Sequence, residues 1–240
     1  LGPSLTALPT EARTLILTQL QEITDQPEAG LGVGLAVSLV AALLSASKGM
    51  VSLVTALNIA YDEDETRTFL RLRALALVVT LAMTVAAGVG VGGMVVVGNV
   101  AERLGPAGEA ALSILRWPVL GALVVLGLAA LYRYAPARDN PRWRWVTPGA
   151  IVATVLWLVG SVAFSVYAAV FGDFQKTYGT LNTVVVLLLW LFVTAYIIVL
   201  GAELDAETER QTARDSTVGP TRPLGRRRAY AADTVGPPAG

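Results

Sequence analysis

Apolar residues fall into five long runs separated by short polar segments: 31–60, 74–98, 112–134, 147–171 and 181–202. At about 1.5 Å per residue each run is long enough, as a helix, to cross the roughly 30 Å hydrocarbon core of a bilayer. Within the last of them, Leu181 to Leu200 carry no charge, and three carboxylates (Glu203, Asp205, Glu207) follow at once. Lipid offers backbone amides no partners, so runs of this kind are helical. The pattern predicts an all-α polytopic transmembrane helix bundle with five spans, forming a transmembrane domain over 31–207.

The flanking segments have a different texture. Residues 10–24 place Ala12, Leu15, Ile16, Leu20 and Ile23 three and four apart, which predicts a short amphipathic helix within an N-terminal segment, 1–30. Residues 99–111, with Gly105 and Pro106, read as a polar connection. Arg, Pro, Gly and Thr without apolar period make 208–240 a predicted disordered tail. Gly88, Gly90 and Gly93 formally satisfy a dinucleotide-binding spacing. That spacing has a mechanism only between a strand and a helix, and here it lies inside a lipid-length run, so a helix-packing face or a local break is expected instead.

Composition narrows the chemistry. The chain has no histidine and no cysteine, which removes imidazole bases, thiol chemistry and the usual zinc ligands. Neither carboxylate group, Asp62 to Glu65 or Glu203 to Glu207, has a phosphate-binding loop beside it. No enzyme, cofactor or metal is therefore expected. The neutral formal charge gives no general attraction to nucleic acid, and the alternation of Arg142, Trp143, Arg144 and Trp145 reads as headgroup anchoring. Membrane lipids are the expected partners, with a homo-oligomer or another envelope protein beyond them.

Charge also orients the chain. Segments 61–73, 133–146 and 203–240 hold thirteen arginines, and the opposite set holds only Arg13, Arg103, Arg116 and Lys176. The positive-inside rule puts the first set, and the C-terminus, in the cytoplasm and leaves 1–30 outside, in the periplasm.

The run Leu44-Ser-Ala-Ser-Lys-Gly-Met50, then Ala56-Leu-Asn-Ile-Ala-Tyr61 and Leu131-Tyr-Arg-Tyr-Ala-Pro136, resembles the YihY/BrkB family of bacterial inner-membrane proteins. Pro148-Gly149-Ala150, Trp157, Phe164 to Tyr167, Tyr178-Gly179, Trp190 and Leu200-Gly-Ala-Glu-Leu204 follow in the family's order, and the resemblance covers about residues 5–207. It implies six spans with both ends cytoplasmic, so a further span is expected upstream of Leu1. Asp205 stands where the family often has Asn. Members are described as transporters, with suggestions of lipid or envelope-component export, and some carry a ribonuclease label that the absence of histidine argues against.

Lys48 is the one charge within the first run. An ionisable side chain there costs about 2.5–3.5 kcal/mol on insertion scales and points to function. The expected substrate path joins Lys48 to Ser45, Ser47, Asn58, Ser161, Ser165, Tyr167, Tyr178, Asn182 and Thr183, with Glu203 as the carboxylate partner of Lys48. The function expected is a transporter or a flippase for lipid or envelope components in the bacterial inner membrane. The alternative is a non-transporting envelope scaffold or assembly partner. Convergence of these residues on one cavity separates the two.

Overall fold

The computed structural model describes residues 28–103, 105–139, 141–171 and 180–236. Among the described residues there are five long helices: α1 (Glu28–Ala60), α2 (Phe69–Arg103), α3 (Gly105–Tyr134), α4 (Thr147–Phe171) and α5 (Thr180–Arg210). A 3-10 turn (Trp143–Trp145) leads into α4, and a short α6 (Tyr230–Asp233) lies in the tail. Four helices contain spans of membrane length and apolarity, Gly34–Ala60, Phe69–Val97, Thr147–Tyr167 and Val184–Arg210, and α3 contributes the shorter apolar stretch Pro118–Tyr134. The amphipathic helix expected at 10–24 lies outside the described residues.

Two expectations change. The polar connection at 99–111 is mostly helix, since α2 runs to Arg103 and α3 starts at Gly105. The glycines of the 88–93 stretch do not break α2. Only Gly90 approaches another helix, with Leu123 at 3.4 Å from where a Cβ would stand, while Gly88, Gly92 and Gly93 face open space.

Each helix packs on its neighbour in sequence, and α5 returns to α1, so the five close into a ring. The packing is uneven along the ring's axis. The buried apolar residues of the helix ring are Val54, Leu57, Ala60 and Tyr61 at the end of α1, Ala76 near the start of α2, and Leu128, Ala129, Leu131, Tyr132 and Ala135 at the end of α3. With them lie Val146, Ala150 and Ala153 around the start of α4, and Ile197, Ala202 and Ala206 in the last turns of α5. All stand at the end that carries the tail. Toward the other end, large apolar side chains such as Leu39, Val85, Val119, Val159 and Phe192 stay exposed, as suits surfaces that lipid can cover.

The closest seam joins α4 to α5. A Cβ on Gly201 would fall 2.6 Å from the Tyr132 hydroxyl and 2.7 Å from Ala153 Cβ, and one on Gly149 would overlap the Gly201 carbonyl. Only glycine lets the two backbones approach this far. Trp157 and Trp190 extend the seam edge-to-face at 6.1 Å, and Trp157 Nε1 donates to Thr194 Oγ1 at 3.3 Å.

The expected disordered tail is instead a folded strap over 211–236. Thr217 bridges to Pro141 in antiparallel fashion, and Asp215, Ser216, Thr217 and Arg227 are buried. Its order comes from polar bonds rather than an apolar stripe, so hydrophobic periodicity gives no sign of it.

Candidate functional site

Beneath the strap lies a buried polar cluster built from the ends of four helices. Arg138, in the loop after α3, donates through Nη1 to Glu209 Oε2 of α5 at 2.7 Å, both side chains being wholly inaccessible. Glu209 Oε1 accepts from the Ser216 hydroxyl of the strap. The Arg138 guanidinium lies 4.0 Å over the Tyr61 ring at the end of α1. Asp205 Oδ1 accepts the Gly149 N–H at 2.6 Å, and the Tyr132 hydroxyl donates to the Ile198 carbonyl at 2.7 Å. Four polar groups here are buried without a hydrogen-bond partner: Tyr61 Oη, Arg138 Nε and Nη2, and Asp205 Oδ2. Burial pushes the Tyr61 hydroxyl well above its ordinary pKa of 10.0, outweighing the pull of Arg138.

Above this cluster opens a cavity of about 710 Å³. The loop after α1 supplies Asp62, Asp64 and Arg67 to its wall, the loop after α3 supplies Asp139, and the strap supplies Arg228 and Tyr230. Asn58 fixes the two loops to each other, donating to Glu65 Oε2 at 2.9 Å and accepting from the Ala137 N–H at 2.8 Å. Arg67 completes the clamp, bonding both Glu65 oxygens and the Ala135 carbonyl. Burial pushes Glu65 upward, but the bonds from Arg67 and Asn58 outweigh it and hold the carboxylate below 4.5. Glu63 is held above 4.5 by burial, although it accepts the Tyr230 N–H. Among the described residues no group of three or more side chains could hold a metal ion.

Among the described residues, none of the substrate-path residues lines this cavity. Asn58 belongs to the loop clamp. Ser47 is buried and donates to the Leu44 carbonyl at 2.7 Å, and Ser165 donates to the Ser161 carbonyl at 2.8 Å, so each satisfies its own helix. Ser161 Oγ is buried without a partner, and Tyr167 stands exposed, its ring 6.0 Å from that of Phe164. Tyr178 lies outside the described residues, and so do the side chains of Asn182 and Thr183 on α5.

The proposed pairing of Lys48 with Glu203 is not formed. Glu203 feels Glu207, Asp62 and Arg210, so it lies level with the end of α1. Lys48 is twelve residues before Ala60, about 18 Å along the helix.

Lys48 instead stands one residue past the midpoint of its span, exposed and, among the described residues, without an ion-pair partner. At about 100° per residue Ser38, Ser45, Lys48, Ser52 and Thr55 fall within a roughly 100° arc opposite the buried seam of Ser47, Val54 and Leu57. All five are exposed. Ser52 and Thr55 donate to the carbonyls of Lys48 and Val51, which leaves hydroxyl lone pairs facing outward. Sequence reasoning had Lys48 and Ser45 but missed Ser38, Ser52 and Thr55, although their helical spacing was available. It also missed the strap and the Arg138–Glu209 pair, which pattern alone does not join.

Comparisons with known proteins place the chain. A protein of Bacillus subtilis named ribonuclease-like, YfkH, is 33% identical over 204 residues, covering 82% of this chain and 73% of that protein. A UPF0761 membrane protein of Rhodospirillum centenum is 29% identical over 126 residues, 52% of this chain and 28% of its own length. One of Tolumonas auensis is 34% identical over 80 residues, 33% of this chain and 26% of its own length. No solved structure matches. The profile of the family Virulence factor BrkB matches residues 3–224, so it extends past Glu207 into the strap, beyond the reach of the resemblance read from the sequence. With helices of membrane length and a family match over nearly its whole described extent, the chain is a membrane protein of the BrkB family.

Proposed function

We propose that this protein moves a substrate across the bacterial inner membrane, with the strap on the cytoplasmic side, and that the hydroxyl-bearing face of α1 around Lys48 is the path. The observation that supports this reading is the position of Lys48. Lys48 stands fourteen residues from Gly34 and twelve from Ala60, about 21 and 18 Å along the helix, so in a bilayer centred on this span neither surface is within reach of its stem by snorkelling. A cation held there needs water or an anionic group beside it. The serine and threonine hydroxyls above and below it extend the polar surface along the span. The substrate group that Lys48 meets is then anionic, and a flippase or transporter is the function.

The experiment is reconstitution in liposomes, with fluorescent-lipid scrambling and ion flux measured in parallel. Lys48→Leu is expected to lower transport at least tenfold with insertion unchanged, and Lys48→Arg to retain a substantial part. Equal rates for Lys48→Leu and the unaltered protein would sink the reading. A scaffold is the second reading, favoured by the dispersal of Ser47, Asn58, Ser165 and Tyr167 onto separate structural tasks. A null in both assays selects it.

A further inference from the structure

We propose that the strap, residues 211–236, is a lid that opens as one body to admit substrate to the polar cavity at the tail-bearing end of the helices, beside the end of α1. This rests on the transport reading above.

Three observations carry it. First, the strap holds its own shape. Arg227 is buried and donates to the carbonyls of Ala213, Arg222 and Ala232, at 2.8, 3.0 and 2.6 Å. The Asp233 carboxylate accepts the N–H groups of Gly225, Arg227 and Arg228, and Asp215 accepts those of Thr217 and Arg222. A segment knotted in this way can move without unfolding.

Second, its bonds to the body are mostly polar. They include Arg222 to Asp139 at 2.7 Å, the Tyr230 N–H to Glu63 at 2.6 Å, the Arg142 N–H to the Ser216 carbonyl at 2.9 Å, Arg142 Nε to the Thr217 carbonyl at 3.2 Å, the Asp139 N–H to the Arg228 carbonyl and the Gly236 N–H to the Arg210 carbonyl at 3.0 Å each, and Ser216 to Glu209. Water can replace each at a net cost of about 0.5–1.5 kcal/mol, or about 1.5–3 for those to charged groups. Of the strap's apolar side chains only the alanines Ala229, Ala231 and Ala232 are buried, Ala231 within the core cluster, while Val218, Leu224 and Val235 stay exposed. Little hydrophobic burial opposes opening.

Third, the closed strap covers groups that opening would hydrate. It seals the Arg138–Glu209 pair and overlies the cluster that contains the unpartnered Arg138 and Tyr61 groups. The wall that Arg228 and Tyr230 give to the 710 Å³ cavity leaves with it. Hydration of buried polar groups offsets the bonds lost, which is what a two-position element requires.

The test is a reversible lock. The chain has no cysteine, and Pro141 and Thr217 are bridge partners, whose Cα atoms lie about 4.5–5.5 Å apart and so within disulfide reach. In liposomes, the Pro141→Cys, Thr217→Cys protein is expected to transport like the unaltered chain when reduced, at least tenfold more slowly when oxidised, and normally again after reductant. Arg227→Ala, which loosens the knot, is expected to raise the rate several-fold and speed amide exchange across 213–234 together. Equal rates for the oxidised and reduced lock, or a rate unchanged by Arg227→Ala with exchange accelerated, overturn the lid and leave the transport reading standing. No transport by the unaltered protein overturns the transport reading and the lid with it.

Discussion

Two glycines and one carboxylate govern the tightest contact in the molecule. Gly201→Ala would set a methyl group 2.6 Å from the Tyr132 hydroxyl and 2.7 Å from Ala153, both buried at the seam. Neither neighbour can withdraw without moving a helix. The expected loss is about 1–3 kcal/mol, the usual cost of overpacking, read as a lower melting temperature by tryptophan fluorescence in detergent. Asp205 divides the possibilities further. Asp205→Asn keeps an oxygen for the Gly149 N–H and is expected to melt within a few degrees of the unaltered protein. Asp205→Ala leaves that buried N–H unpaired, at about 1–3 kcal/mol, and is expected to melt clearly lower. Equal melting of the two variants would show that the bond contributes nothing. The two glycines of this contact stand in the Pro-Gly-Ala and Leu-Gly-Ala-Glu-Leu segments that carry the family resemblance. Their meeting was not legible, because glycine in a sequence marks freedom of approach without naming what approaches.

At the scale of elements, the long helices were readable and the strap was not, for one physical reason. Lipid imposes a run of about twenty apolar residues on whatever crosses it, and that run shows in any sequence. The strap is held by Arg227, Asp215 and Asp233 bonding to backbone, and a segment rich in Arg, Pro and Gly looks the same whether such bonds form or not. Its carboxylates make it acid-sensitive. Burial tends to raise Asp215, but bonds from Arg222 and Thr217 and the charge of Arg227 outweigh it and hold it below 3.8. A carboxylate lowered in the folded state contributes stability above its unfolded pKa, and that stability is lost as pH falls through the folded value. Glu63, held above 4.5, has the opposite sign and takes its proton first, so it does not loosen the strap on the way down. The strap is therefore expected to stay closed through pH 4.5 and to release below 3.8. Limited proteolysis with an acid protease, or amide exchange across 213–234 at stepped pH, checks this. Release at pH 6 would contradict it.

For the whole molecule the uneven packing is the main property, and it too was hidden. Apolar runs show that residues meet lipid or protein but not which, so the sequence placed Lys48 within reach of Glu203 when about 20 Å of helix separates their levels. The ring is closed and filled where Leu57, Tyr61, Tyr132 and Ala202 meet, and its opposite half offers lipid the exposed faces of all five helices. A bundle held at one end pivots there, and the amplitude of motion grows with distance from the pivot. Spin labels test this directly, because the chain has no cysteine to remove. A pair on α2 and α4 at the open half, Val85→Cys with Val159→Cys, is expected to give a broad distance distribution in detergent that narrows in lipid. A pair at the packed end, Arg71→Cys with Arg144→Cys, is expected to be narrow in both. Equal widths at the two ends in detergent would mean that the helices hold together along their whole length, and the end under the strap would then be no better anchored than the rest.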